Sequence, residues 1–149
     1  MATVTPASHT VEHVAIVNAP IDVQRLTRYV EDAGVGAISL FLGTVRNVNE
    51  GRDVTGIDYE AYQPMAEREL RLIVRERCDA TPGLRLAVEH RVGTLVVGDV
   101  SVAIAAGHAR RAPALAAAQQ VIELLKRRVP IWKREHYVDG QRHWVDPTA

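Results

Sequence analysis

The hydrophobic pattern of the chain changes period repeatedly, and this alternation limits the folds that it can adopt. Residues 20–34, 65–80 and 112–129 carry apolar side chains at helical spacing, whereas the segments between them alternate or are continuously apolar, as strands are. The predicted order is β-α-β-β-α-β-β-α-β-β. Because strands mostly follow one another in pairs, the sequence predicts an α+β domain with a mainly antiparallel sheet.

Local signals indicate where the elements begin and end. Pro64 suits the first turn of the second helix, and Pro130 disfavours helix at the residue before it. Asp139-Gly140, between the strand-like segments IWKREHYV and QRHWV, predicts a β-hairpin. The segment GAISLFLGTVR, residues 36–46, is apolar on both faces. This pattern is typical of a central strand, and we expect one there.

Length and composition exclude several classes of protein. A chain of 149 residues is expected to form one domain, here over residues 11–149, after a flexible segment at residues 1–10. Eighteen basic residues balance eighteen acidic residues, which argues against nucleic-acid binding. The N-terminus does not resemble a signal peptide, no apolar run suits a membrane span, and the single Cys78 excludes an internal disulfide. These features predict a cytoplasmic protein without a membrane partner.

The basic residues are unevenly distributed between arginine and lysine. Of the 18 basic residues only two are lysines, Lys126 and Lys133, and both lie in the segment LLKRRVPIWKRE. One interpretation is a genome biased toward arginine. The other is that lysine is kept where an amine must gain or lose a proton, which a guanidinium cannot do. The break at Pro130 would let the chain fold back, so that both amines converge on one pocket.

Two further cationic clusters lie at the ends of predicted elements. Arg46 follows the predicted central strand, from where it can clamp an anion or simply lie on the surface. The turn GHARR places His108, Arg110 and Arg111 at the start of the third helix, where backbone amides already favour an anion. The alternative for this turn is an ordinary solvated surface.

Other reactive residue types give weaker signals. Cys78 lies within the second predicted helix, away from the cationic clusters, and we expect an inert thiol. His136 and His143 lie on opposing arms of the predicted hairpin and could hold a metal as a pair, but no third ligand is indicated, so no metal is predicted. No glycine-rich phosphate loop is present, and we expect no nucleotide or other cofactor.

Four motifs are similar to a known family. FLGTVRN, DYEAY, EHRVGTLVVGDVSV and above all LKRRVPIWKRE resemble the large, catalytic subunits of molybdopterin synthase, the MoaE family, in order and spacing. The similarity runs from about residue 12 to residue 146. It implies an α/β hammerhead fold with a mainly antiparallel sheet and an added small β subdomain.

The resemblance also implies a reaction and partners. Enzymes of this family convert cyclic pyranopterin monophosphate into molybdopterin by adding two sulfurs as a dithiolene. The sulfurs arrive as thiocarboxylates on the C-terminal Gly-Gly of a small ubiquitin-like subunit, and the large subunits form a homodimer with one small subunit at each end. An external sulfur donor agrees with the poor placement of Cys78, and a phosphorylated substrate agrees with the cationic clusters.

Site residues follow from the resemblance by position. Lys126 and Lys133 match catalytic positions. Substrate binding is assigned to these two lysines and to Thr44, Val45, Arg46, Arg110, Arg111, Arg134 and Glu135. The turn GHARR departs from the family pattern, because the usual His-Arg pair falls on Arg110 and Arg111 and leaves His108 two residues early. Either Arg110 replaces the histidine as a phosphate donor, or a local backbone shift lets His108 reach the site, and we expect the first.

Two other functions are compatible with the sequence. A non-catalytic paralogue could bind the small subunit or a pterin, and the altered HARR turn is its only support. An organic-phosphate enzyme with a Schiff-base lysine is the other alternative.

Overall fold

A computed structural model describes residues 11–145, so the prediction of a flexible segment at residues 1–10 lies outside the described residues. The helices are α1 (Val23–Arg28), α2 (Gln63–Ala80) and α3 (Arg111–Arg128). The strands are β1 (Glu12–Val17), β2 (Ala37–Thr44), β3 (Val48–Asn49), β4 (Arg52–Ala61), β5 (Arg85–Arg91), β6 (Gly93–Val96), β7 (Val100–His108), β8 (Ile131–Tyr137) and β9 (Arg142–Val145). No helix in this range is long and apolar enough to span a membrane.

Within residues 11–145 the strands form two sheets. The first has the order β1-β5-β7-β2, and only its β1–β5 pair is parallel. The second has the order β3-β4-β8-β9. Strand β6 also pairs with β4, on the edge opposite β8. The prediction of an α+β fold with mainly antiparallel pairing is therefore confirmed, and the second sheet is the added β subdomain.

The main core lies between the first sheet and the two long helices. Helix α2 buries Leu70, Ile73 and Val74, which follow the i, i+3, i+4 spacing of one helical face. They pack in one cluster with Ile104 of β7 and Val121 of α3. Full burial of each such side chain contributes about 1.5–3 kcal/mol, so this cluster fixes α3 against the sheet. The end of α3 therefore has a defined position.

The prediction of a central strand at residues 36–46 is wrong, because β2 is an edge strand. Ile38, Leu40 and Leu42 point to one face of β2 and are 41%, 43% and 38% exposed. Helix α1 packs on β5 and β7 and leaves this face of β2 uncovered. An apolar face that no other part of residues 11–145 covers is typical of a surface that another protein covers.

The remaining differences concern short elements. The first predicted helix is helical only from Val23 to Arg28, since the following residues make turns in which Val30 N donates to Thr27 O. Strands β3 and β6 lie in segments predicted as connections, and strands this short show no clear periodicity. The predicted hairpin is confirmed, with Gly140 at a φ of +86° in the turn between β8 and β9.

Candidate active site

A cavity of about 240 Å³ lies where the two sheets meet the end of α3. It brings together residues from β2, β4, β5, β7, α3 and β8. The lining residues that carry polar side chains are Thr44, Arg46, Tyr59, His90, Ser101, Lys126 and Lys133. Four of the predicted site residues therefore meet in one cavity, although almost ninety positions separate Thr44 from Lys133 in the sequence.

The two lysines reach the cavity because the chain reverses at Pro130. Helix α3 ends at Arg128, and Val129 is extended with φ −85° and ψ 124°. Strand β8 then begins at Ile131 and places Lys133 opposite Tyr59 of β4. Lys126 lines the cavity from the last turn of α3, and Lys133 lines it from β8. The predicted convergence of the two amines is confirmed.

Arg46 is held in place by a chain of hydrogen bonds. Its guanidinium donates to Asn49 Oδ1 at 3.0 Å, and Asn49 Nδ2 donates to Glu135 Oε1 at 2.5 Å. Glu135 is 2% exposed. Glu135 thus orients Asn49, which orients Arg46, whereas Glu135 itself does not line the cavity. Asn49 was not predicted as a site residue, because an asparagine in a polar loop is more typical of a turn.

Burial changes the acid–base behaviour of two further lining residues. Burial raises the pKa of Tyr59, and the charge of Glu135 adds to the increase. A hydrogen bond with Ser101 opposes it. The pKa of His90 is lowered to about 4, mainly by burial and also by the charge of Lys126. A hydrogen bond to the Arg91 backbone opposes this decrease. At neutral pH the cavity therefore holds a phenol and an uncharged imidazole.

Val45 and Arg134 are not brought to the cavity. Val45 is 3% exposed and packs with Val54 and Leu95 in a separate apolar cluster. Strand alternation directs Arg134 to the face of β8 opposite that of Lys133, where it donates to Asp58 Oδ2 at 2.7 Å. Because the substrate contacts assigned to Val45 and Arg134 require access to the cavity, this structure supports a packing role for each of them instead.

The contact between Arg134 and Asp58 belongs to a polar cluster that stabilises the β subdomain. Burial alone would raise the pKa of Asp58, but hydrogen bonds from Arg134 and Thr94, together with the His136 imidazole 2.8 Å away, outweigh it and hold that pKa at about 2. Asp58 is therefore ionised throughout the physiological range. The Arg134 guanidinium also lies 5.2 Å from the ring centroid of Trp144, which ties β9 to β8.

Arg110 and Arg111 lie at the far end of α3 from Lys126. Both are exposed, and Arg110 is the residue that precedes the helix. At 1.5 Å per residue, the helix separates Arg110 from Lys126 by about 24 Å. No small phosphate ester can contact both residues of one chain. The predicted phosphate site that combines Arg46 with Arg110 and Arg111 is therefore not formed within a single chain.

His108 is occupied by backbone contacts. Its Nδ1 accepts a hydrogen bond from the Arg110 amide at 3.1 Å, and its Nε2 lies 3.0 Å from the carbonyl oxygen of Pro82, to which it donates. Both ring nitrogens are used in fixing the turn before α3. This agrees with the expectation that His108 does not take the position of the family histidine.

The weaker candidates are placed away from the cavity. His143 pairs with Glu135 across the hairpin and His136 pairs with Arg142, so the two histidines point to opposite faces of the sheet. They cannot bind one metal together. Cys78 is 6% exposed within the main core, and burial raises the pKa of its thiol to about 12, which agrees with an inert cysteine.

Known proteins similar to this chain agree with the fold and with the motifs. The family described as MoaE protein matches residues 16–128. The molybdopterin synthase catalytic subunit of Nostoc sp. is 39% identical over 136 residues, which are 91% of this chain and 82% of that protein. The crystal structure of molybdopterin synthase from Staphylococcus aureus superposes with a TM-score of 0.84 at 36% identity, covering 88% of this chain and 95% of that one.

A third comparison concerns fold alone. A complex of subunits 1 and 2 of the molybdopterin-converting factor from Helicobacter pylori has a TM-score of 0.73 at 24% identity, with 89% of each chain covered. The family match spans well over half of the sequence, and the Nostoc relative extends it to most of the remainder. By these matches the chain belongs to the MoaE family.

Proposed function

We propose that this chain is the catalytic subunit of a molybdopterin synthase and acts as a sulfurtransferase. It moves two sulfurs from the thiocarboxylated C-terminus of a small ubiquitin-like subunit to cyclic pyranopterin monophosphate, which forms the molybdopterin dithiolene. The observation that carries this proposal is the meeting of Arg46, Lys126 and Lys133 in one cavity. Its relatives are named molybdopterin synthase catalytic subunits, which makes the chain an enzyme of molybdenum cofactor biosynthesis. A cytoplasmic location stays a prediction.

The cavity suits a flat, anionic ligand. Three cationic side chains provide charge-assisted hydrogen bonds for a phosphate, with Arg46 held in position by Asn49. Phe41, Ile57 and Ile131 supply apolar walls for a ring system. This combination of a cationic group and apolar walls matches a pterin that carries a cyclic phosphate.

The sulfur donor in this proposal is the partner subunit. Cys78 is the only cysteine of the chain and is enclosed in the core, so it cannot pass a persulfide to a ligand in the cavity. The two C-terminal glycines of the partner have no side chains and fit a narrow approach to the lysines. The Helicobacter pylori complex of two subunits, which shares the fold, supports a partner of this kind.

The second copy of a homodimer supplies Arg110 and Arg111 in this proposal. Because about 24 Å separates Arg110 from Lys126 of its own chain, a phosphate contact by both requires two chains. The uncovered apolar face of β2, with Ile38, Leu40 and Leu42, supports association with another copy.

A reconstituted reaction tests the proposed function. The chain is mixed with thiocarboxylated small subunit and cyclic pyranopterin monophosphate, and molybdopterin is measured by conversion to a fluorescent oxidised derivative. We expect product only when all three components are present. A stable complex of the two subunits that forms no product would instead identify a non-catalytic paralogue.

Arg46→Ala should weaken substrate binding while the fold is retained. Loss of a charge-assisted hydrogen bond to phosphate costs about 1–3 kcal/mol, or roughly a 5- to 150-fold increase in Kd. Calorimetry with the cyclic pterin phosphate measures the change. Asn49→Ala should cause a smaller loss, since it releases Arg46 without removing its charge.

Arg28→Ala provides the matched control for Arg46. Arg28 is exposed at the end of α1, outside the cavity, so its removal changes net charge equally but should not change Kd. Equal affinity of the Arg46→Ala variant and the wild type would place the phosphate elsewhere.

A further inference from the structure

His90 lies in the cavity, and the proposed substrate contacts do not use it. It is on β5, is 5% exposed, and lines the cavity together with Lys126 and Lys133. The Tyr59 ring meets it edge to face, with ring centroids 5.2 Å apart. A histidine held in this way has a defined ring orientation at the wall of the cavity.

Backbone contact fixes the tautomer of this imidazole. His90 Nδ1 lies 2.8 Å from the carbonyl oxygen of Arg91. A carbonyl oxygen only accepts hydrogen bonds, so Nδ1 carries the proton and donates it. In the neutral ring, Nε2 therefore has a free lone pair and is a proton acceptor.

The surrounding groups keep the ring uncharged. The titratable and charged side chains that line the cavity with His90 are Tyr59 of β4, Lys126 of α3, Lys133 of β8 and Arg46 after β2. Burial and the positive charge of Lys126 hold the pKa of His90 at about 4. A phosphate bound to Lys126 would offset that charge, so substrate would remove part of the decrease and strengthen the base, while burial still keeps the pKa of His90 below its ordinary value.

We propose that His90 is the general base that cleaves the acyl intermediate of sulfur transfer, by accepting a proton from water at Nε2. This role rests on the proposed function. When the thiocarboxylate sulfur bonds to a pterin side-chain carbon, an oxygen substituent leaves that carbon as water or as the freed phosphate-ester oxygen. The sulfur stays bonded to the acyl carbon of the partner, so the partner and the substrate are joined as a thioester. Release of the sulfur requires water to add to that acyl carbon.

The step balances without a redox partner. The oxygen of water forms a bond to the acyl carbon, and its proton passes to Nε2 of His90. The carbon–sulfur bond breaks, and the electron pair leaves with sulfur. His90 then returns this proton to the sulfur, and the second proton of the water is released from the new carboxylic acid, so that the products are the carboxylate terminus of the partner, the pterin thiol and one proton.

Replacement of His90 by alanine, followed by addition of imidazole, tests the proposal. Acid-quenched single-turnover reactions are analysed by mass spectrometry of intact proteins. We expect the partner–pterin thioester to accumulate in His90→Ala and its cleavage to slow by about a hundredfold or more. Imidazole, which fits the space left by the side chain, should restore cleavage. Among substituted imidazoles the restored rate should rise with the pKa of the added base.

Two variants separate a chemical role from a structural one. His90→Gln fills the space without providing a base, so it should accumulate the thioester and resist rescue by imidazole. His143→Ala removes an exposed histidine of β9 and should behave as the wild type with or without imidazole.

The outcomes distinguish this proposal from the proposed function. If wild-type chain makes product and His90→Ala cleaves the thioester at the same rate, the role of His90 is wrong while the function stands. Rescue that does not depend on the pKa of the added imidazole would also contradict the role. If the wild type makes no product from thiocarboxylated partner, the proposed function is wrong, and the role of His90 falls with it.

Discussion

Lys126→Ala should lose nearly all product formation while the chain folds normally. Lys126 lines the cavity from the last turn of α3, where alanine preserves the helix. The proposed role of its amine is to move protons or to capture the acyl group of the thiocarboxylate, and loss of such a group lowers the rate by about a hundredfold or more. Single-turnover formation of molybdopterin measures the effect.

Lys126→Arg should fail as well, because a guanidinium keeps the positive charge but does not give up its proton. Arg127→Ala is the neighbouring control: Arg127 is exposed, its Nε donates to the Glu123 carbonyl, and it does not line the cavity. It should retain wild-type turnover. Turnover of Lys126→Ala near the wild-type level would exclude a catalytic role for this amine.

Two inactive variants should restore activity when their subunits are mixed. Lys126→Ala removes the amine near one end of α3, and the double variant Arg110→Ala/Arg111→Ala removes the cations at the other end. If each cavity combines Lys126 of one chain with Arg110 and Arg111 of another, a mixed dimer contains one intact cavity. Random exchange of subunits in equal amounts then yields about a quarter of the wild-type activity.

The recovery must depend on dimer exchange. We expect it after the two variants are expressed together or refolded together, and each variant alone should stay inactive. A mixture with two Lys126→Ala subunits carrying different tags is the control and should show no recovery. Absence of recovery in dimers shown to be mixed would place Arg110 and Arg111 outside the cavity.

Long elements with regular patterns could be predicted from the sequence. Helices α2 and α3 bury continuous stripes over 18 residues each, and the hairpin carries Asp139-Gly140. The convergence of Lys126 and Lys133 was also predictable, since Pro130 breaks the helix between them. Each of these predictions depends on residues close together in the chain.

Features that depend on distant pairing could not be predicted. The face that Arg134 occupies is set by the register of β8 against β4, and β2 is an edge strand because it pairs with β7 alone. His90 lies in a strand with ordinary alternation, and only the approach of α3 and β4 places its ring in the cavity. Asn49 is oriented by Glu135, which is 86 positions away.

The origin of the transferred sulfur tests the central claim most directly. The small subunit is thiocarboxylated with sulfur-34 and mixed with cyclic pyranopterin monophosphate and unlabelled chain, and the product and both proteins are weighed by mass spectrometry. We expect both dithiolene sulfurs of the product to carry the label and the mass of the chain, with its buried Cys78, to stay unchanged. Product with unlabelled sulfur, or labelled persulfide on Cys78, would contradict transfer from the partner in this cavity.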